Sequence, residues 1–189
     1  MKTKLFKLLT LCLVSNVFSE VTDPSALLNW IESKKSIIEF GKLTNDSDYR
    51  LVFFHDQKAK QNVSSWFSSK APELLKLDKI VHYHIIFPGG ISFLTPRAQV
   101  YSKIREEIKQ LRLSVHQKLS KDLQEIMNMK PEIWFVDDKR QITSKLEMPR
   151  HQLGAVLINT KTNSSKVFLD LEANWEKLFS VLQEQSGEK

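Results

Sequence analysis

Cysteine is nearly absent from this sequence of 189 residues: there is one, Cys12. It lies in a segment that reads as a cleaved leader, so the mature chain is expected to carry no thiol, no disulfide and no cysteine ligand for a metal. Thiol oxidoreductase and peroxidase chemistry depend on a thiolate, and that reading excludes both. No Gly-x-Ser-x-Gly, P-loop or His-Glu-x-x-His pattern is present, so no standard catalytic motif is available either. Internal repeats and low-complexity segments are missing. Strong charge of one sign is missing too: removing the leader's three lysines from a formal +6 leaves +3, which gives no footprint for a nucleic-acid partner.

The leader is residues 1–19. Lys2, Lys4 and Lys7 precede the apolar run Leu8-Leu9-Thr10-Leu11-Cys12-Leu13-Val14, and Val17-Phe18-Ser19 supplies a peptidase site with cleavage after Ser19. A membrane anchor would need about 18 or more apolar residues, and this run is shorter. Leu9-Thr10-Leu11-Cys12 loosely resembles a lipobox, but Leu11 stands where a small residue is wanted. The mature protein is therefore expected outside the cytoplasm, periplasmic or secreted, with no transmembrane segment after cleavage.

Residues 20–49 read as a helical extension and linker. Asp23-Pro24 is a helix start, Leu27, Leu28, Ile31 and Ile38 form a partly apolar face, Gly41 marks the stop, and Thr44 to Asp48 is polar. Residues 50–189 read as one α/β domain. Arg50 to His55 and Ile80 to Phe87 are continuous apolar runs suited to strands buried on both faces, and the intervening segment is a helix that Pro72 breaks or restarts. Strand, helix, strand in this order predicts a parallel pair with a right-handed crossover. Ile104, Ile108, Leu111, Val115, Leu119, Leu123 and Ile126 predict a long helix over 97–129, with a possible break near Ser114 or Ser120. After Pro131 a strand is expected at 132–137, then a hairpin at 155–159 and 166–170 around a polar turn. A closing helix carries Leu171, Trp175, Leu178 and Leu182 on its inner face.

Leu51-Val52-Phe53-Phe54 before a loop and helix resembles the strand that delivers the active-site loop in thioredoxins and peroxiredoxins. Ile133-Trp134-Phe135-Val136-Asp137-Asp138-Lys139-Arg140-Gln141 and Ile142 to Leu146 resemble the peroxiredoxin-type strand, Asp-rich turn and short helix. Within the thioredoxin-like superfamily the chain looks most like the YtfJ-type family of periplasmic proteins, over about residues 50–185. The resemblance implies a thioredoxin-like fold, a central mixed sheet flanked by helices. The redox members' cysteine is replaced here by the loop from His55 to Asn62, and Gly154-Ala155 stands where their cis-proline would be.

Two sets of residues are candidates for function. The carboxyl ends of strands in open α/β sheets tend to bind ligands, and here they carry His55, Asp56, Asp137 and the Pro88-Gly89-Gly90 turn; His82 and His84 share one strand face. These could serve as base, orienting carboxylate and anion cradle, or as the start of a metal site, although no acid completes a ligand set by spacing. The second set is the basic stripe Arg105, Lys109 and Arg112, continued by His116, on the long helix. With the Pro88-Gly90 loop it suits a protein partner in the cell envelope, since interfaces favour arginine anchors. Asn45, Asn62 and Asn163 head N-glycosylation sequons that matter only in a eukaryotic source. The sequence therefore supports an exported, non-redox binding or accessory protein with no assigned metal or cofactor. The alternative is a cysteine-independent hydrolase or metal-binding protein using His55, His82 and His84.

Overall fold

The computed structural model describes residues 24–42, 47–56, 60–88, 95–148 and 150–186, with the backbone alone at 24, 60–62 and 186. The leader, Asp23, Gly89 and Gly90, Pro149 and the sequon residue Asn45 lie outside the described residues. In chain order the elements are α1 (Pro24–Ser33), β1 (Ile38–Phe40), β2 (Tyr49–Asp56), α2 (Lys60–Lys76), β3 (Ile80–Phe87), α3 (Arg97–His116), α4 (Lys121–Met129), β4 (Glu132–Val136), α5 (Gln141–Lys145), β5 (Gly154–Asn159), β6 (Ser164–Phe168) and α6 (Leu171–Ser186).

The strands form one mixed sheet in the order β1-β4-β3-β2-β5-β6. β2, β3 and β4 run parallel, while β5 is antiparallel to β2 and to β6. Helical connections make the parallel pairs possible and the turn at 160–163 closes the hairpin, as the apolar runs and the polar cluster imply. All eight residues of β3 are buried, because helices cover both faces and β2 and β4 cover both edges. Alternation along β2 divides the interior. Leu51 and Phe53 pack with α2, α4 and α6, whereas Val52 and Phe54 pack with α1 and α5.

Two expectations need correction, and the break that the sequence allowed near Ser120 is present. The helix expected toward Gly41 ends at Ser33, and Ile38–Phe40 is a strand, β1, pairing antiparallel with β4. Gly41 then turns the chain away from the sheet at φ +67°. A Cβ there would sit 2.3 Å from the Lys130 carbonyl oxygen, so the position excludes any side chain. Pro72 does not break α2, which runs through it with Ala71, Leu74 and Leu75 buried in the core on either side. The long helix is two helices. α3 stops at His116, and the Gln124 side-chain amide donates to the His116 and Leu119 carbonyls that the break would otherwise leave open. Val115, Leu119 and Met127 then meet in one cluster, so packing on both sides of the break stabilises it.

Candidate functional site

The period-two pattern of β3 places His82 and His84 on the face under α2 and α3, and the parallel registers set His84 between Phe53 of β2 and Trp134 of β4. His55 ends β2 on the same face. The result is a packed group of rings. His84 lies 4.0 Å from Trp134 at an interplanar angle of 9°, and His55 lies 5.1 Å from both His84 and Trp134. His55 Nε2 and His84 Nδ1 share a hydrogen bond of 2.8 Å.

Beneath the rings lies a half-buried ion pair. Glu132 accepts hydrogen bonds from Trp134 Nε1 at 2.7 Å and Arg112 Nε at 3.2 Å, and Arg112 also donates to the Met127 carbonyl at 2.6 Å. His84 Nε2 stands 3.8 Å from Glu132 Oε1. Arg112 further stacks on Phe40, with 4.3 Å from the guanidinium to the ring centre. The adjoining cavity of about 60 Å³ is lined by His82, His84, Arg112 and Glu132, and among the described residues His82 Nε2 meets no hydrogen-bond partner. A polar cavity of that size suits bound water.

Burial sets the protonation states. It pushes the His55 imidazole down to about 3, and it does the same to His82 with help from the Lys130 charge. His84 is lowered well below the ordinary value by burial and then by its two imidazole neighbours. All three rings are neutral at neutral pH. Burial raises the Glu132 carboxyl, opposed by Arg112 and by its hydrogen bonds.

Above the rings, at the carboxyl end of β2, a cleft of about 530 Å³ opens between α2 and α3. Ile86, Ile108 and Trp134 give it apolar walls. His55, Ser64 and Ser114 contribute polar groups, and Asp56, Glu106 and Glu107 contribute carboxylates. Asp56 is itself buried, accepting from the His151 backbone amide at 2.9 Å. No family model matches this chain, and no curated protein or solved structure matches it either. The site therefore has to be read from its own geometry.

The candidate residues separate on inspection. His55, Asp56, His82 and His84 are all buried on or beside the cleft side of the sheet. Asp137 does not join them. Its carboxylate accepts from the backbone amides of Gln141, Ile142 and Thr143 and from the Thr143 hydroxyl, at 2.7–3.0 Å, which makes it the cap of α5. Among the described residues no three His, Cys, Asp or Glu side chains converge as a metal-ligand set, because His55 and His84 bond to each other. The basic stripe is not one surface either. Lys109 is exposed, whereas Arg112 turns inward to Glu132 and Arg105 donates to the Ile37 carbonyl at 3.1 Å beside β1. Pro88 is buried.

Glu132, Trp134 and the acids of α3 escaped the motif search. A signal for the first two does exist in the sequence. Glu132 and Trp134 are spaced by two, as are His82 and His84, and parallel pairing of the two strands sets one pair against the other. That register is not visible until β4 is known to neighbour β3.

Proposed function

We propose that this chain is an exported, non-redox binding protein on a thioredoxin-like scaffold, with its binding site in the cleft between α2 and α3. The cleft carries the reading: a concavity of about 530 Å³ with apolar walls and a few convergent polar groups, at the carboxyl end of a parallel strand. The strand order β4-β3-β2-β5-β6 and the α5 turn support the thioredoxin-like assignment. β2, whose end would lead into the redox cysteine, ends in His55-Asp56 instead, so the place used for thiol chemistry becomes a place for recognition.

Trp134 lines the cleft and reports on occupancy. In protein labelled with 5-fluorotryptophan, Trp134→Phe assigns its fluorine signal, and a fragment collection is then screened. Fragments that shift the Trp134 signal but leave Trp175 unmoved, and that lose this effect in Ser114→Phe, are expected. A collection that never moves the Trp134 signal would overturn the cleft as the binding site.

A second surface supports a protein partner in the cell envelope. Leu113 is 49% exposed beside Lys109, and with Phe40 the two line a shallow groove along the β1 edge of the sheet. Lys109→Glu and Leu113→Asp would weaken that contact; Arg112 belongs to the half-buried pair and is not a fair probe of it.

A further inference from the structure

Asp56, Glu106 and Glu107 line the cleft, and among the described residues no lysine or arginine side chain does. The sign is opposite to that of the chain, which is formally +6. All three acids have local interactions; among them His151 Nδ1 lies 3.4 Å from Asp56 Oδ2, and Gln110 Nε2 donates to Glu106 at 2.9 Å. By themselves such acids are an ordinary solvated helix face.

His55 supplies an independent observation. Its ring is 4% exposed and lines the cleft. Nε2 is used by His84, and Nδ1 has no hydrogen bond to a described residue. The sealed unsatisfied side-chain atoms among the described residues are Trp30 Nε1, His82 Nε2, Arg140 Nε and Ser165 Oγ, so His55 Nδ1 is open to the cleft rather than shut in.

Its protonation follows from the groups behind it. His84 Nε2 faces the Glu132 carboxylate at 3.8 Å, and against a carboxylate an N–H is favoured over a lone pair. Neutral His84 then has a bare Nδ1. His55 donates to it from Nε2–H and keeps the Nδ1 lone pair for the cleft. Glu132 thereby fixes, through two rings, an acceptor at the cleft wall.

We propose that the cleft binds an organic ammonium, a protonated amine on an apolar body, which donates an N–H to His55 Nδ1 and is balanced by the carboxylates of Asp56, Glu106 and Glu107. This rests on the cleft being the binding site. The apolar body lies against Ile86, Ile108 and Trp134. His84 and Glu132 touch no ligand and act as positioning residues.

Hexylammonium, 1-hexanol and hexanoate are titrated at neutral pH into protein carrying 15N-histidine and 5-fluorotryptophan. The free protein should show His55 Nδ1 unprotonated. Hexylammonium should shift both His55 Nδ1 and Trp134, with hexanol at least about tenfold weaker, since a hydrogen-bonded charge is worth about 1.4 kcal/mol or more. Hexanoate should leave both signals unmoved. The double variant Glu106→Gln, Glu107→Gln should weaken hexylammonium and leave hexanol unchanged. His84→Phe keeps a stacked ring, and should let the His55 proton move to Nδ1; Glu132→Gln gives the same readout if that variant does not fold. A protonated Nδ1 in the free wild-type protein, or hexanol binding as tightly as hexylammonium, overturns the inference and leaves the cleft standing. If none of the three moves Trp134, the inference fails, and the fragment screen separately decides the fate of the cleft.

Discussion

Under α1 and α5 the sheet presents Val52, Phe54, Val81, Tyr83, Ile85 and Phe135, which pack on Leu27, Ile31 and Ile142. The buried carboxylate at that end, Asp137, is matched by four donors from one turn of chain. Under α2, α3 and α4 the same strands present His55, His82, His84 and Glu132, with Arg112 reaching in from α3. One of these polar atoms, His82 Nε2, has no hydrogen-bond partner among the described residues. The α1/α5 face has orphaned atoms of its own, Trp30 Nε1 and Arg140 Nε, but its buried carboxylate Asp137 is fully capped. Neutral imidazoles stacked against a half-buried ion pair cost desolvation and contribute little net stability, and their place on the cleft side supports the proposed binding site.

The sharpest test of that difference is acid. A histidine held at about 3 in the folded state and near 6.5 unfolded takes up its proton only on unfolding anywhere between those values. The unfolded state then binds more protons, and stability falls as pH drops through that window, by about 1.4 kcal/mol per pH unit for each histidine. Above pH 6.5 the contribution is fully present. Glu132 acts in the opposite sense, because its raised pKa makes protonation favour the folded state as pH falls toward 4.5. The histidines outnumber it, and urea unfolding at stepped pH should show a steep loss below 6.5. In His82→Phe the slope should be shallower by about one proton. An unchanged slope would mean that the ring does not stay neutral in the folded protein.

Next in size is the apolar face. Phe54 is 1% exposed, and Phe54→Ala should cost about 3–5 kcal/mol in transfer and cavity terms. The loss should be the same at pH 5 and pH 8, because the shifted group in that cluster, Tyr83, is raised by burial from 10.0 and titrates above this range. A loss that changes with pH would couple the two faces and remove the contrast.

The smallest effect is expected at the histidine with no partner. At neutral pH His82→Phe replaces an unsatisfied ring with one that needs no hydrogen bond, so stability should change by less than about 1.5 kcal/mol. A much larger loss would show that His82 Nε2 is held by bound water that the fold requires.

The strands β2 to β6 and the closing helix were legible because burial on both faces demands continuous apolar runs, and a polar cluster between two of them demands a turn. The site was legible only in part. His55, Asp56, His82 and His84 could be named as candidates from strand ends and period-two spacing. Their spacing left a metal site open only as an alternative, and the fold spends two of the rings on each other. β1 was hidden because three residues carry no period, and its pairing energy comes from β4, almost a hundred residues away. Arg112 read as part of a partner-facing basic stripe because helical spacing tells which residues share a face and not what lies opposite. Sequence by itself determined which residues are apolar, which elements they form and the lack of a thiol after residue 12. Tertiary structure alone decided that Glu132 lies against the histidines, that α3 and α2 stand apart far enough to leave a cleft, and that Asp137 serves a helix instead. Those outcomes depend on strand order and side-chain register between distant segments, which no local pattern encodes.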